Sequence, residues 1–342
     1  MFNKLKAWIE MLKLFSKINI MNEVKEYLKL NVVRVMDDDG LFDSLDSPKG
    51  LGELANELGY KDLELLKEIL KAFSKDGFLN LSTFLKYETI RPLDYEISTP
   101  RLFNQGIKEV WERYAEWIPK RLRGEYADFT AETALFDWDD ALAAKAYGIL
   151  RSAAFKFADA LNEDGRFLDV GCGNGIGTTD IFHFYQKKDM IPNVDIFGMD
   201  VNNDLLEIAD QEFKLRLKTR HNLSNGQIES LEGHLPKFRM GSVDDMPFED
   251  DFFDIVYISQ VLHWSDAERA VAEMLRVLKP GGMIFGSQTF FPVANKYLDF
   301  HARTMEGASG FFTQEKFKNW AYDNGAKKVS ITTPLSVFKI EA

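Results

Sequence analysis

Apolar positions follow two rhythms along this chain. Near the start, Phe2, Leu5, Ile9, Leu12, Phe15 and Ile18 recur at helical spacing, whereas from Phe167 onward apolar residues gather in short runs separated by turn residues. The first rhythm suits a helix buried along one face, and the second suits strands covered on both faces. One helix or a broken pair is predicted from Asn22 to about Asp46, then a turn at Ser47-Pro48-Lys49-Gly50. A short helix from Leu51 to Leu58 stops at Gly59, another from Leu63 to Phe73 is capped by Asp62, and Phe78 to Ile90 reads as two short strands. Between Asp94 and Leu161 the pattern is helical apart from loops.

The second half reads as strands and turns. Phe167, Leu168 and Val170 form a strand, and Ile196 to Asp200 form another that ends in an acid. Met240 to Phe248 is a strand end and loop, and Phe253 to Ile258 is a buried strand ending near Ser259. Leu278 to Gly286 is a helix end, a Pro-Gly-Gly turn and a strand beginning at Met283.

The stretch Asp169-Val170-Gly171-Cys172-Gly173-Asn174-Gly175-Ile176-Gly177 joins the first of these strands to a helix. Glycines there let backbone approach a ligand where a side chain would collide. Counted from Gly171, the third glycine falls one position early for a dinucleotide fingerprint, with Ile176 where that motif needs Gly or Ala. Phosphate recognition is therefore disfavoured. An acid at the end of the second strand, Asp200, suits the hydroxyls of a ribose.

The order of these motifs resembles the class I S-adenosylmethionine-dependent methyltransferases. Their D-x-G-x-G-x-G turn, second-strand acid, D-x-x-P-F-x-x-x-x-F-D stretch and L-K-P-G-G turn all have counterparts here. The resemblance implies an α/β fold with a Rossmann-like seven-stranded sheet, S-adenosyl-L-methionine as cofactor and S-adenosyl-L-homocysteine as product. It also implies roles: Asp169 toward the methionine ammonium, Gly171, Cys172 and Gly173 in the turn, and Asp200 on the ribose. Val201 would lie on the adenine face, Ser242, Val243 and Asp244 at the adenine edge, and Gln260 at the methionine end. Read singly, Asp169 is also a possible helix cap, Asp200 a strand-end solubiliser, and Asp244 or Asp245 a turn residue.

The first 160 or so residues exceed what such a core needs. Their L-G-E-L-A-N-E-L-G-Y and L-L-K-E-I-L-K-A-F-S-K-D-G-F-L stretches resemble the N-terminal winged-helix dimerisation domain of small-molecule O-methyltransferases. That implies a homodimer and three parts: a mainly helical winged-helix-like domain over 1–94, a helical connector and cap over 95–160, and the cofactor domain over 161–342. On the helix that a DNA reader would use, Asp62, Glu64 and Glu68 offset Lys67 and Lys71, so that face is not basic.

Composition narrows the partners. The net charge of −12 argues against broad contact with nucleic acid or anionic lipid. Cys172 is the single cysteine, which excludes an internal disulfide and points to a reducing, cytoplasmic setting. His183, His221, His234, His263 and His301 show no metal-ligand spacing, and no apolar run is long enough to cross a membrane. The amphipathic start reads as packing or a dimer contact rather than a membrane-surface helix.

For acceptor chemistry, the aromatic residues Trp111, Tyr114, Trp117, Phe129, Phe136, Trp138 and Tyr147 read mostly as core. Phe290, Phe291, Phe300, Phe311 and Phe312 are candidates for one wall of an apolar pocket. His263, in Val261-Leu262-His263-Trp264-Ser265-Asp266, is the candidate base; the family's H-D-W-S-D is one residue longer, and a helix-start or packing role stands beside it. His301 is a weaker candidate. No N-P-P-Y-like sequence follows the fourth strand, and the lone cysteine sits in the cofactor turn, so nucleic-acid methylation is disfavoured. The sequence therefore predicts a methyltransferase acting on a small apolar or aromatic acceptor, most readily on oxygen. A carbon, nitrogen or sulfur methyltransferase for a quinone-like or lipid-like molecule is the alternative, and a non-catalytic winged-helix regulator is the alternative of another class. The stretch from Lys218 to Pro236 reads as either a surface hairpin of helices or a lid.

Overall fold

In a computed structural model the described residues are 18–93, 95–128, 141, 145–160, 163–332 and 336–342. The amphipathic start Phe2 to Phe15 and the aromatic residues Phe129, Phe136 and Trp138 lie outside them. The chain divides into two compact units, one of residues 18–136 with 294–310, the other of 1–17, 137–293 and 311–342.

The first unit opens with α1 (Ile18–Asp38) and α2 (Leu41–Ser44), then β1 (Lys49–Gly50), α3 (Leu51–Leu58), α4 (Leu63–Lys75), β2 (Leu79–Leu81) and β3 (Lys86–Thr89). The three strands make an antiparallel sheet in the order β1-β3-β2. Gly59 ends α3 in the left-handed conformation at φ 71°, and the Asp62 side chain accepts the Leu65 amide at the start of α4. On α4, Leu65, Leu66, Ile69, Leu70 and Phe73 are buried, a helical stripe that meets Tyr27, Val32, Met36 and Phe42 in one core. A long helix, α5 (Gln105–Leu122), adds Tyr114, Ile118 and Leu122 as buried residues, while Trp111 and Trp117 are half-buried.

The second unit is built on strands. After α6 (Lys145–Ala158) come β4 (Gly165–Val170), α7 (Ile176–Gln186), β5 (Val194–Asp200), α8 (Asn203–His221), α9 (Asn225–Ser230), β6 (Lys237–Met240), β7 (Phe253–Ser259), α10 (Ala267–Val277) and β8 (Leu278–Ser287). Beyond β8 the chain returns one helix, α11 (Lys296–Ala302), to the first unit before α12 (Gln314–Asp323), β9 (Lys328–Ile331) and β10 (Val337–Glu341) complete the sheet. The seven strands run in the order β6-β5-β4-β7-β8-β10-β9, parallel except for β10, which is antiparallel to both neighbours.

Alternation along the central strands explains the two cores. Leu168, Val256, Ile258 and Ile284 face one side with α10 and α12 residues such as Met274 and Phe317, while Phe167, Ile255, Tyr257 and Phe285 face the other. On that second side Phe155 of α6 meets Phe285 edge-on at 4.8 Å. The helix carrying Phe155 thus packs in the core of the sheet unit.

Three local readings gain detail. The helix before β8 ends at Val277, and Leu278 already pairs with Phe253, so Pro280, Gly281 and Gly282 lie within an irregular strand rather than a turn ahead of Met283. The register absorbs them: β7 advances from Phe253 to Ile255 while β8 advances from Leu278 to Met283. The Lys218–Pro236 stretch folds as the end of α8, then α9 with a Ser224/Gln227 capping box, then a short 3-10 turn at Glu232–His234. Phe300 and His301 belong to the first unit, whereas Phe290, Phe311 and Phe312 are buried in the second.

Gly286 lies between Ile258 of β7 and Phe338 of β10, where an added Cβ would collide with the Ile258 carbonyl oxygen. Gly286→Ala is expected to destabilise the sheet unit by about 3 kcal/mol, read as a lower urea midpoint; a midpoint equal to the parent's would show that the strands spread to admit the methyl group.

Candidate functional site

The chemistry-bearing residues of the second unit collect at the carboxyl ends of β4, β5, β6 and β7, where open parallel sheets bind ligands. The turn after β4 is held open by Gly171, Gly173 and Gly175, with φ of 67°, 55° and 79°. At Gly171 a side chain would also collide with Val261, so this glycine is required by both conformation and space. The amides of Gly171 and Cys172 both donate to the Met199 carbonyl, tying the turn to β5.

Asp200 closes this arrangement from the end of β5. Its carboxylate is 8% exposed and accepts the Gly173 amide at 2.9 Å and the Asn202 amide at 3.0 Å. Burial pushes its pKa up, against the pull of those amides. Asp200 is therefore neither a solubiliser nor a surface turn residue, but an internal acceptor for loop backbone. Asp169, at the end of β4, is 3% exposed and takes a hydrogen bond from the Thr178 hydroxyl at 2.7 Å. Burial raises its pKa to about 6; Thr178 and the Arg151 charge oppose the rise, and Asp200 adds to it. Two buried carboxylates thus lie beside a glycine turn at positive φ. Arg151 lies alongside Gly177 and pairs with Asp180 at 3.2 Å, turned to that carboxylate.

The remaining cofactor candidates line the same edge. Val201 follows Asp200 with 46% of its surface exposed, an apolar face beside the acid. Ser242 donates to the Asp244 carboxylate, Ser242 and Asp245 form an isolated bridge, and Val243 is buried. Cys172 is buried, and its thiol pKa is raised by burial with Asp200 and Asp169 adding to the effect. Gln260, at φ 57°, uses its side chain internally: Oε1 accepts from the Thr289 amide and hydroxyl, and Nε2 donates to Ser287 at 3.4 Å.

His263 lies in a 3-10 turn, Leu262–Trp264, two residues after Val261. Its ring is 3% exposed, stacks on Phe311 with centroids 4.4 Å apart, and has Nδ1 3.3 Å from Gln288 Nε2. Burial pushes its pKa down to about 3. His301, in the core of the other unit, has Nδ1 2.6 Å from the Tyr297 carbonyl and meets the Trp111 ring edge-on. His301 is thus a packed core residue.

Sequence reasoning missed the groups that act on these residues: Thr178 and Arg151 on Asp169, Asn202 on Asp200, and Gln288 on His263. Only the Gln288-Thr289 pair left a trace, two polar residues directly after an apolar strand. Among the described residues no group of three or more His, Cys, Asp or Glu is placed to hold a metal, and no helix is long and apolar enough to cross a membrane.

A sheet of this order, with its one antiparallel strand beside the edge, a glycine turn after β4 and an acid ending β5, defines the class I methyltransferase fold. Residues 168–286 match the family model described as a methyltransferase domain, and this part of the chain is such a domain. S-adenosylmethionine is the methyl donor of these domains, and the acidic turn fits its sulfonium, ammonium and ribose better than it fits a phosphate. An uncharacterised methyltransferase of Schizosaccharomyces pombe is 34% identical over 120 residues, which are 35% of this chain and 38% of that protein. A ubiquinone/menaquinone biosynthesis C-methyltransferase of Vibrio vulnificus is 29% identical over 39% of this chain and 45% of its own. The chain thus spans less than half the length of these curated relatives. Among solved structures, the methyltransferase domain of the citrinin polyketide synthase superposes with TM-score 0.70 at 13% identity, over 99% of this chain and 93% of its own. The CurJ carbon methyltransferase gives 0.65 at 14% identity over 99% of both chains, which shows a shared fold.

Asp200→Ala is expected to weaken S-adenosylhomocysteine about 30-fold by calorimetry, the loss of roughly 2 kcal/mol of charge-assisted bonding. Affinity equal to the parent's would remove Asp200 from the ribose position.

Burial holds His263 near pKa 3, and His183 and His301 near 4, all below the unfolded value of about 6.5. Such groups stabilise the fold fully above pH 6.5, and the contribution is lost as pH falls from there toward 4, because the unfolded chain binds protons the folded one refuses. Urea midpoints should therefore fall between pH 7 and pH 5, with the three imidazoles still neutral by proton NMR at pH 5; charged imidazoles there would contradict the burial.

Proposed function

We propose that this chain is an S-adenosylmethionine-dependent methyltransferase that methylates a small, apolar or aromatic acceptor on oxygen. The observation that carries this reading is the pair of buried carboxylates, Asp169 and Asp200, set around a glycine turn at positive φ. When bound, the cofactor supplies an electrophilic methyl group on a positively charged sulfur. The protein's part is to hold and orient: Asp200 takes the ribose hydroxyls while fixing the turn, Asp169 faces the ammonium, and Val201 with Ser242, Val243 and Asp244 borders the adenine. Displacement at the methyl carbon needs alignment and exclusion of water more than proton transfer. Phe290 and Phe312, buried with ring centroids 5.7 Å apart, give the sheet unit an apolar backing beyond β8.

A general-base role for His263 is not part of this reading. Its Nδ1 is engaged by Gln288, and burial disfavours the imidazolium that proton uptake would create. That same observation favours a second reading, methylation of a carbon acid, in which His263 only positions the acceptor. The C-methyltransferase among the relatives agrees with it. The α-β-α-α-β-β order of α2, β1, α3, α4, β2 and β3 supports a winged-helix-like module, for which we propose homodimer contact in a cytoplasmic enzyme.

Radiolabelled S-adenosylmethionine with a panel of phenols, quinols, 1,3-dicarbonyls and carboxylic acids is expected to label at least one acceptor and release S-adenosylhomocysteine. Tight cofactor binding with no transfer to any of them would bring forward the regulator reading.

A further inference from the structure

Gln288 follows β8 directly and is fully buried. Its side-chain nitrogen lies 3.1 Å from the Thr289 carbonyl oxygen and 3.3 Å from His263 Nδ1. A carbonyl oxygen only accepts, so the atom facing it must be the NH2 group; turning the amide over would set two oxygens against each other. The nitrogen's second proton then points at Nδ1, which has to be the unprotonated ring nitrogen. Among the described residues the buried Gln288 Oε1 has no hydrogen-bond partner, so the amide leaves that acceptor unsatisfied while keeping its nitrogen between two others.

We propose that Gln288 fixes the neutral tautomer of His263 with its proton on Nε2, making His263 a hydrogen-bond donor to an acceptor that arrives already ionised. Gln288 is the positioning residue. The ring has one proton to place, because burial keeps it neutral. With Nδ1 occupied, that proton sits on Nε2, and a nitrogen bearing a proton accepts none. The acceptor class follows: a molecule acidic enough to be an anion near neutral pH whose oxygen takes a hydrogen bond, such as the enolate of a 1,3-dicarbonyl or an acidic phenolate. Proton balance then needs nothing from the protein. The acceptor's lone pair forms the new bond to the methyl carbon, the pair of the broken carbon–sulfur bond stays on sulfur, and the methylated acceptor leaves neutral. Val261, packed against the Gly171 backbone, keeps this segment beside the cofactor turn. The acceptor chemistry rests on the methyltransferase reading; the tautomer does not.

The test is a long-range proton–nitrogen correlation spectrum of the full chain with 15N-labelled histidine at pH 7, His263 being assigned by the signals lost in His263→Phe. The parent should show the Nε2–H pattern. In Gln288→Glu a carboxylate replaces the amide, so the pattern should change to Nδ1–H and the titration midpoint should rise by about one pH unit or more. Should that variant fail to fold, Gln288→Met should show both tautomers in exchange. An Nδ1–H pattern in the parent, or the parent's pattern retained in Gln288→Met, would overturn the assignment. Transfer to simple aliphatic alcohols but not to acidic phenols or 1,3-dicarbonyls would overturn the acceptor class. Failure to bind S-adenosylmethionine by calorimetry would instead sink the methyltransferase reading and leave the tautomer standing.

Discussion

The acceptance of two backbone amides by the buried Asp200 carboxylate is the interaction on which the site's geometry depends. It fixes the glycine turn to the end of β5 through the turn's own backbone, at Gly173, with Asn202 held by the same carboxylate. The opposed effects on its pKa show what the arrangement costs: burial favours the neutral acid and outweighs the converging amides, which favour the charged form. Asp169 works under the same tension, held by Thr178 and Arg151. The two acids thus repel each other across a turn that a bound cation would relieve.

Much of this was readable from spacing. The glycines after β4, the acid closing β5 and the apolar runs of β4 and β7 are local signals, and the structure brings their residues to one edge of the sheet. Asp62 and Gly59 were equally local, a cap and a stop acting within a turn of their own helices. The Pro280-Gly281-Gly282 stretch misled because a turn signature and a strand irregularity use the same residues; only pairing to β7 distinguishes them.

What stayed hidden depends on tertiary approach. Nothing near Arg151 in the sequence announces a carboxylate partner 29 residues on. The polar pair Gln288-Thr289 after β8 marks a change in the chain but not a partner, yet the Gln288 amide decides which nitrogen of His263 bears a proton. His301, the weaker candidate base, lies among Trp111, Tyr297 and Thr304 in a core assembled from segments far apart in the chain.

That core has one contributor from late in the chain. Tyr297 bonds Asp76 at 2.7 Å, its ring lies against Phe73, and Lys296 and Arg303 both pair with Glu68. The first unit therefore remains short of part of its interior until residues 294–310 have been synthesised, by which time β4 to β8 of the other unit already exist. On the ribosome the first unit waits for residue 310 and the second for β9 and β10, so neither closes from one continuous stretch, and a fragment ending before residue 294 would expose the apolar surface that Tyr297 and Phe300 cover.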